Sequence, residues 1–573
     1  MDDDEAIEEG IMQQWLYRKV IWGGVVALAV VISLACADAG TSSPASPASA
    51  PAKLQRLRIA IAPLGWDTNY TWLQSRSGQL DKRPALEYLV GIDRHTGAYI
   101  PELAEKWDMS PDGKHWTITL RQGVKFHGNG GEFSAKDVRH SIFLISQPES
   151  VQTDTGLWRS MMGIDKDDAL EAGAKKVETN VEIVDDYQVI IHTKFATPEL
   201  VDTISGNADL GMESKARWDA GGKELYGQKV VGTGPFEFVE RKIGSHVLYK
   251  RVENHWRQTP AFKELEFRWV PEDVTRLATL LSEEVHISDV PRALQGDATA
   301  KGMKIVTSRL PAIMHAWYFG GLYFATPDKL KADVPWTKKE VRQAMNMAIN
   351  RQEIINKLLG GKADPLKVFG FDQRVEPKSW NPEWDQQFDN LYGYNPTKAK
   401  ALLAKAGYGS GFEFTIYLYT LPGLPEIVEI GQALALDFEA VGLRPKLVEV
   451  DFPRVREQYR TKQIHGALWG LRRSPNALDT VRIFNVSKNS VVYSYEHPFI
   501  DHVMEELGRV VNLEERAGLL RSIGDHKFHE FAELPLAALF ADAVINPKFI
   551  AEYTFPGIIT GFYTHLEYIK LAP

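Results

Sequence analysis

The chain has 573 residues, of which 44% are apolar and 25% are charged. These values are ordinary for folded proteins and exclude a wholly disordered chain, while the length exceeds the roughly 250–300 residues that one hydrophobic core supports. The net charge is −9 and no long basic run occurs, which excludes a nucleic-acid-binding protein that works by neutralising phosphates. Cys36 is the one cysteine, so an internal disulfide framework, a cysteine-based zinc site and an iron–sulfur site are also excluded.

Residues 1–35 have the pattern of a signal peptide or a membrane anchor. Residues 20–35 form an uncharged apolar run that follows Arg18 and Lys19. The run has 16 residues, fewer than the roughly 20 that a spanning helix needs, so a cleaved signal is favoured over a permanent span. The stretch before Arg18 is acidic, unlike a signal, which leads to the hypothesis that translation starts at Met12.

Cys36 ends the segment Ser-Leu-Ala-Cys, which resembles a bacterial lipobox, where the cysteine becomes a lipidated N-terminus. A buried thiol in an uncleaved membrane helix is the alternative. Residues 36–53 are rich in Pro, Ser and Ala without large apolar side chains, which predicts a flexible tether. The order of apolar run, cysteine, flexible tether and folded body predicts a protein in the periplasm or at the outer face of the bacterial cytoplasmic membrane. It would be anchored by lipid at Cys36 or by an N-terminal helix.

Alternation of apolar and polar residues predicts β-strands in the body that follows. The predicted strands are residues 57–61, 116–120, 181–183, 189–191 and 411–419. The third and fourth of these flank Asp185 and Asp186, so we expect them to form a β-hairpin.

Helix start signals are also clear. Ser134 with Asp137 and Asn350 with Glu353 have the spacing of capping boxes, and Asn395 precedes a proline at a first-turn position. The predicted helices are one that follows Ser134, residues 341–349, one that begins at residue 350 and ends at 360–361, and residues 396–406. Strands and helices are mixed along the whole chain, which indicates an α/β protein of several lobes.

Nine short segments in order resemble the solute-binding protein family 5 of bacterial ABC importers, which includes oligopeptide, dipeptide and nickel-complex binding proteins. The segments are residues 101–107 (PELAEKW), 110–113 (SPDG), 120–127 (LRQGVKFH), 133–138 (FSAKDV), 231–236 (VGTGPF), 254–256 (NHW), 341–351 (VRQAMNMAINR), 394–403 (YNPTKAKALL) and 406–408 (AGY). They fall within roughly residues 55–510, and the last sixty residues match poorly.

The resemblance implies a two-lobed α/β clam-shell of the periplasmic-binding-protein type (type II) with an inserted subdomain. Lobe I is expected to comprise residues 54–95, 206–310 and 545–573, the inserted subdomain residues 96–205, and lobe II residues 311–544. Such lobes close on a ligand by hinge motion. The closed form would then be recognised by the membrane permease subunits of the importer.

The resemblance also implies where a ligand would bind. In this family the loop after the first strand lines the cleft, which points to Trp66 and Asp67. Tyr493 lies where the family approaches the ligand again, although core packing is an equal alternative. A ligand that stacks between Trp66 and Trp469 is the resulting expectation.

Peptide binders of the family carry a Trp-x-Ala-Asp segment, whose acid binds the peptide's α-amino group. The matching segment here begins at Trp469 and contains Arg472 and Arg473 in place of the acid. Arginine suits a carboxylate or a phosphate, so we expect an anionic or neutral small solute rather than an ordinary free-amine peptide. The alternative is that one or both arginines pair with carboxylates at the surface.

No catalytic motif of a hydrolase or metalloprotease occurs, and neither a cofactor nor a metal site is expected. Asp525, His526 and His529 have helical spacing, but a solvated helix face is favoured over a metal site because no further ligand lies nearby. The predicted function is the substrate-binding component of an ABC importer, a monomer that captures a peptide-like or other small solute. A cell-envelope sensor without coupling to import and, less favoured, an extracellular enzyme are the alternatives.

Overall fold

The computed structural model describes residues 54–63, 67–421, 424–488, 490–557 and 564–573. The predicted signal or anchor (1–35), the tether (36–53), Cys36 and Trp66 lie outside the described residues. Within that part of the chain, no helix combines the length and the apolar composition that crossing a membrane requires.

Nineteen strands occur in the described residues. They are β1 (Arg56–Ile61), β2 (Val90–Ile92), β3 (Tyr99–Pro101), β4 (Ala104–Met109), β5 (His115–Leu120), β6 (Val181–Asp185), β7 (Gln188–His192), β8 (Phe236–Lys242), β9 (His246–Arg251), β10 (Glu264–Trp269), β11 (Ile287–Ser288), β12 (Lys304–Phe319), β13 (Ala363–Pro365), β14 (Glu413–Leu418), β15 (Arg444–Glu449), β16 (Ala467–Arg473), β17 (Glu533–Ile545), β18 (Ile550–Glu552) and β19 (Lys570–Leu571).

Sixteen α-helices occur in the same part of the chain. They are α1 (Ala135–Ile145), α2 (Thr155–Met161), α3 (Leu170–Asn180), α4 (Leu200–Thr203), α5 (Lys215–Gln228), α6 (Asp273–Leu281), α7 (Arg292–Ala300), α8 (Lys339–Ala348), α9 (Arg351–Leu358), α10 (Pro382–Tyr392), α11 (Pro396–Lys405), α12 (Ile427–Ala440), α13 (Phe452–Arg460), α14 (Ala477–Phe484), α15 (Pro498–Leu507) and α16 (Leu513–His529).

The strands and helices predicted from local patterns are confirmed. Strands β1, β5 and β14 occupy the predicted positions, and β6 and β7 pair antiparallel as the predicted hairpin. The capping box at Ser134 and Asp137 is present, and the Asn350 side chain accepts a hydrogen bond from the N–H of Glu353. The Asn395 side chain caps α11 in the same way, because a side-chain oxygen satisfies an N–H group that the first helical turn leaves without a partner.

One sheet of 11 strands extends through most of the fold. Its order is β15-β14-β16-β12-β17-β11-β1-β10-β9-β8, and β13 pairs with β17 beside this path. A separate four-stranded sheet has the order β4-β5-β7-β6, and β2-β3 and β18-β19 form two small pairs.

Two long strands join the two ends of the large sheet. Strand β12 has 16 residues and pairs antiparallel with the 13-residue β17. The ladder is regular from Lys304 to Thr307 and continues to Tyr318 with three register shifts, which lie between Thr307 and Pro311, between Pro311 and Ile313, and between His315 and Ala316. An irregular register breaks regular hydrogen bonding and bends a strand locally, so the pair of long strands can bend at these places, the first two of which lie between Thr307 and Ile313.

The buried apolar residues form three large cores. The first surrounds β1, β9 and β10 and includes Ile59 and Phe267. The second lies on the four-stranded sheet and includes Ile118 and Trp158. The third and largest is built from residues 314–539 and includes Trp317.

Candidate functional site

The site begins at the end of strand β16, where Trp469, Arg472 and Arg473 follow one another. In the ladder with β12, Trp469 is opposite Tyr318. Trp469 is 1% exposed, and its ring centroid lies 4.7 Å from that of Tyr318 and 5.1 Å from that of Tyr459. Trp469 therefore forms part of the aromatic packing of the third core.

Arg473 pairs with a carboxylate on the next helix. Helix α14 begins after Asn476, whose side chain accepts a hydrogen bond from the N–H of Asp479 and so caps the helix. The same residue, Asp479, forms an ion pair with Arg473. Arg472 stays partly exposed, and burial lowers the pKa of its guanidinium. The local fold thus places two arginines and one carboxylate at one end of β16.

A second charged group comes from a distant part of the chain. Arg76 Nη2 lies 2.6 Å from Asp154 Oδ1, and its Nε lies 3.1 Å from Asp209 Oδ1. Burial disfavours the charge on Arg76, but the carboxylates of Asp154, Asp209 and Asp479 together raise its pKa above the usual value. Asp479 is therefore close enough to act on Arg76. The segment that follows β16 thus lies near Arg76, Asp154 and Asp209, which belong to the first 210 residues of the chain.

Two further acidic side chains in this region, Asp202 and Glu376, have raised pKa values. Burial raises the pKa of Asp202 to about 6, and nearby Asp479 adds to the shift. Burial also raises the pKa of Glu376 to about 8, with a further contribution from Asp202, while a hydrogen bond from the N–H of Ala477 opposes it. In both acids the loss of hydration on burial disfavours the charged form, and neighbouring carboxylates add to this effect.

Arg482 on α14 is a further charged group of this region. Its side chain is exposed to solvent, yet desolvation by the surrounding protein lowers the pKa of its guanidinium. Glu199 and Asp479 act on Arg482 electrostatically, but among the described residues no ion pair includes Arg482.

A direct ion pair spans the same region. Arg516 on α16 donates to Glu199 with its Nε 2.6 Å from Oε1. Arg516 also donates to the carbonyl oxygens of Leu507 and Val510, which hold its guanidinium in place. The pair joins the segment 311–544 to a residue that precedes helix α4 (Leu200–Thr203). We call the set Arg76, Asp202, Glu376, Arg473, Asp479 and Arg482 the charged recess.

Asp67 and Tyr493 lie in other local settings. Asp67 forms an ion pair with Arg241 and accepts hydrogen bonds from the N–H of Gly244 at 2.8 Å and the indole N–H of Trp269 at 3.1 Å. Tyr493 is half-buried, and the Lys462 ammonium lies 4.3 Å from the centre of its ring. The two side chains thus have protein partners, and a role for either at a ligand stays a prediction.

Sequence reasoning found Arg473 but missed its electrostatic neighbours. Asp479 carries a local signal, because it lies six residues after Arg473 and follows the helix-capping residue Asn476. Arg76 and Glu376 carry no such signal, since each lies about a hundred or more positions from Asp479. Only the tertiary structure brings them together.

The helix that carries Asp525, His526 and His529 faces protein more than was predicted. Asp525 accepts hydrogen bonds from Asn381 and from the indole of Trp384, and the hydroxyl of Tyr495 lies 3.0 Å from Nε2 of His526. Among the described residues, no group of three or more His, Cys, Asp or Glu side chains has the geometry to hold a metal ion.

Solved structures have the same fold. HbpA2 from Haemophilus parasuis superposes with a TM-score of 0.71 at 22% identity, over 90% of this chain and 100% of that one. The ABC transporter-associated periplasmic binding protein DppA from Helicobacter pylori, in complex with the peptide STSA, superposes with a TM-score of 0.62 at 19% identity, over 91% and 98% of the two chains. The predicted α/β fold of periplasmic binding proteins is therefore confirmed.

Sequence comparison identifies the family. Residues 98–490, more than half of the chain, match the model of bacterial extracellular solute-binding proteins, family 5. The dipeptide-binding protein of Escherichia coli (strain K12) is 27% identical over 379 residues, which are 64% of this chain and 66% of that protein. The match thus spans just under two thirds of that relative. The chain belongs to the bacterial extracellular solute-binding proteins of family 5.

Proposed function

We propose that the protein captures a small solute in the charged recess and delivers it to the permease subunits of an ABC importer. The family supports the transport role, since its members bind solutes outside the cytoplasm. The charged recess supports the location of the binding site, because its residues come from distant parts of the chain and act on one another electrostatically. A site of this kind encloses its ligand when the two parts approach each other.

The proposed lobes are those expected from the resemblance. Lobe I comprises residues 54–95, 206–310 and 545–573, the inserted subdomain residues 96–205, and lobe II residues 311–544. The interrupted ladder between β12 and β17 supports a hinge near the proposed boundary at residue 310. Bending there would move the two ends of the large sheet while each core keeps its packing.

The proposed ligand is anionic or neutral, and Arg482 is the observation that carries this choice. Its guanidinium is exposed in the recess without an ion pair among the described residues, and its surroundings disfavour its charge. A carboxylate or phosphate on the ligand would supply the missing counter-charge through paired hydrogen bonds. Arg472 and Arg473 are proposed as further contacts, with Asp479 orienting Arg473.

The aromatic and acidic candidates complete the proposed site. Trp66, Trp469 and Tyr493 are proposed to supply ring surfaces, and Asp67 to shape the loop after the first strand. Packing against Tyr318 favours a role for Trp469 in holding the wall of the site rather than in open stacking.

We further propose that the cargo leaves chemically unchanged and that the mature protein is an extracytoplasmic monomer. Family members are binding proteins, which supports the first point. Anchoring by a lipid on Cys36, after removal of residues 1–35, is the proposed mode of attachment. Intact-mass measurement of the membrane-bound form would show the added lipid or a retained N-terminus.

Native mass spectrometry followed by calorimetry tests the ligand. We expect an acidic or neutral small molecule to co-purify, and Arg482→Ala to weaken its binding about tenfold or more, as for loss of a charged hydrogen bond. Arg460→Ala is the matched control, because Arg460 is an exposed arginine near the end of α13. A cationic co-purified ligand, or equal affinity of the two variants, would contradict the proposed ligand class.

A further inference from the structure

The four-stranded sheet carries two histidines side by side on its solvent-facing side. His115 at the start of β5 is the cross-strand partner of His192 at the end of β7. Their chain neighbours Trp116 and Ile191 are buried in the second core. Successive side chains of a strand point to opposite faces, so both imidazoles point away from that core. No sequence pattern predicts the pair, because 77 positions separate the two histidines.

The strand pairing brings these two side chains close together. The N–H of Thr193 donates to the carbonyl oxygen of Lys114 at 2.8 Å, so the hydrogen bond of the ladder lies beside the histidine pair and not within it. Side chains at such a non-hydrogen-bonded pair lie closer than at a hydrogen-bonded pair. The Nδ1 atoms of His115 and His192 are 2.7 Å apart. Solvent reaches both rings, because the two side chains are 47% and 29% exposed.

Each imidazole also has a carboxylate beside its second nitrogen. Glu182 Oε2 on β6 lies 2.9 Å from Nε2 of His192, and Asp112 Oδ2 lies 3.5 Å from Nε2 of His115. Asp112 is held in its turn, because its Oδ1 accepts a hydrogen bond from the hydroxyl of Ser110 at 2.6 Å. Histidines that bind a metal usually donate their second N–H to such an outer group, which fixes the tautomer and makes the binding nitrogen more basic.

The carboxylate of Glu182 determines which nitrogen of His192 has a free lone pair. An ionised carboxylate only accepts hydrogen bonds, so Nε2 of His192 carries the hydrogen and its Nδ1 has the lone pair. Nδ1 of His115 is then the donor in the contact between the two rings. A metal ion in the place of this hydrogen needs both lone pairs. The proton of His115 therefore moves to its Nε2, towards Asp112, and two neutral rings bind the ion without a net release of protons.

The donor atoms select a class of ion. Imidazole nitrogen suits Zn²⁺, Cu²⁺ and Ni²⁺, whereas Mg²⁺ and Ca²⁺ prefer oxygen ligands. Tetrahedral bonds of about 2.0–2.1 Å place two ligand nitrogens about 3.3 Å apart, so the exposed rings need to separate only slightly. Two protein ligands leave the remaining positions to water. The site is thus smaller than a group of three or more side chains, of which the described residues contain none with metal-binding geometry.

We propose that His115 and His192 bind a divalent transition-metal ion of the zinc and copper class through their Nδ1 atoms. Glu182 and Asp112 are positioning residues, which hold the second nitrogen of each ring. None of the four residues belongs to the charged recess. The proposal is therefore independent of the solute proposed there, and either can fail without the other.

Calorimetry with ZnCl₂ tests the site on the purified protein without an added histidine tag. We expect Zn²⁺ to bind and Mg²⁺ not to bind measurably. His115→Ala and His192→Ala should each weaken Zn²⁺ binding at least about tenfold, since loss of even an outer partner of a ligand costs roughly 10- to 100-fold. His502→Ala is the matched control and should bind like wild type, because His502 is an exposed histidine on α15 with Nε2 3.4 Å from Glu506 Oε1.

Copper spectroscopy separates binding from positioning. Electron paramagnetic resonance of the Cu²⁺ form should show coupling to two imidazole nitrogens in wild type and in Glu182→Ala, and to one in each variant of the histidine pair. Glu182→Ala should weaken Zn²⁺ binding about tenfold while it keeps the two-nitrogen spectrum.

Melting curves of all variants should remain cooperative, because the substituted side chains reach solvent. No binding of Zn²⁺, equal affinity for Mg²⁺, or a one-nitrogen spectrum in the wild type would overturn the proposal. Variants of the histidine pair that bind Zn²⁺ as tightly as His502→Ala would overturn it as well. Unchanged affinity of Glu182→Ala would overturn the positioning role of that residue.

Discussion

Glu376 is a residue of the charged recess whose ionisation makes folding stability depend on pH. Its oxygen accepts the N–H of Ala477 at 3.0 Å, yet burial and nearby carboxylates raise its pKa to about 8. An acid whose pKa is higher in the folded state than in the unfolded state binds its proton more tightly when folded. The stabilisation that this proton gives to the folded protein is fully present below the pKa that Glu376 has in the unfolded chain. It is lost as the pH rises towards 8.

Glu376→Gln should therefore change stability in a pH-dependent way. The amide cannot ionise but can still accept the N–H of Ala477, so the variant should gain on the order of 1 kcal/mol over wild type at pH 8.5. At pH 4.5 the two proteins should unfold nearly alike in urea, because Glu376 is then neutral in the folded protein and only about half ionised in the unfolded chain. Glu505→Gln, an exposed site on α15, is the control. A gain of equal size at both pH values would contradict this account.

At the scale of elements, helix packing depends on close approach at particular glycines. Gly431 on α12 faces Trp317 on β12, and a Cβ atom there would lie 2.4 Å from Leu418 Cδ2 and 2.9 Å from the Trp317 ring. Gly518 on α16 is also helical, but a Cβ atom at that position would meet nothing within 4 Å. Both glycines are helical, but an added methyl group would collide with packed side chains at Gly431 and would meet open space at Gly518.

Gly431→Ala should destabilise the protein by about 1–3 kcal/mol, because the added methyl group overpacks the contact between helix and sheet. Gly518→Ala should instead be neutral or stabilise by up to about 1 kcal/mol, since alanine favours the helix over glycine. Urea unfolding of both variants checks the pair. If Gly431→Ala also stabilised the protein, helix propensity rather than packing would control the effect.

For the whole molecule, the ion pair between Arg516 and Glu199 is one of the contacts that join distant parts of the chain. Arg516 is nearly buried and its other donors go to carbonyl oxygens of Leu507 and Val510, so Glu199 is its one carboxylate partner among the described residues. A hinge near residue 310 would have to break this pair in order to open. The pair therefore favours the arrangement seen in the structure.

Glu199→Gln should shift the free protein towards a more open form. We expect a larger radius of gyration in X-ray scattering without ligand, and weaker ligand binding because closure loses part of its stabilisation. Glu552→Gln breaks the pair of Glu552 with Lys570 on neighbouring strands and should leave the scattering unchanged. Identical scattering of wild type and Glu199→Gln would show that the pair does not control opening.

The sequence alone predicted the features that depend on near neighbours. Strand β1, the hairpin of β6 and β7, and the caps at Ser134 and Asn395 follow from alternation and from side chains that reach backbone groups within three residues. The order of short motifs likewise predicted the family and, through it, the fold. Such signals are local, so no tertiary contact is needed to recognise them.

The tertiary structure decided which charged groups meet. Arg76, Glu199 and Glu376 approach the end of β16 because the large sheet and the cores bring together segments that are about 100 to 400 residues apart, and no spacing along the chain encodes that approach. The same cause placed Trp469 in a packed core and left the hydroxyl of Tyr88 without a hydrogen-bond partner in the part of the chain that the structure describes. The charge and burial of a site depend on neighbours that are close in space but distant in sequence, so only the folded chain determines them.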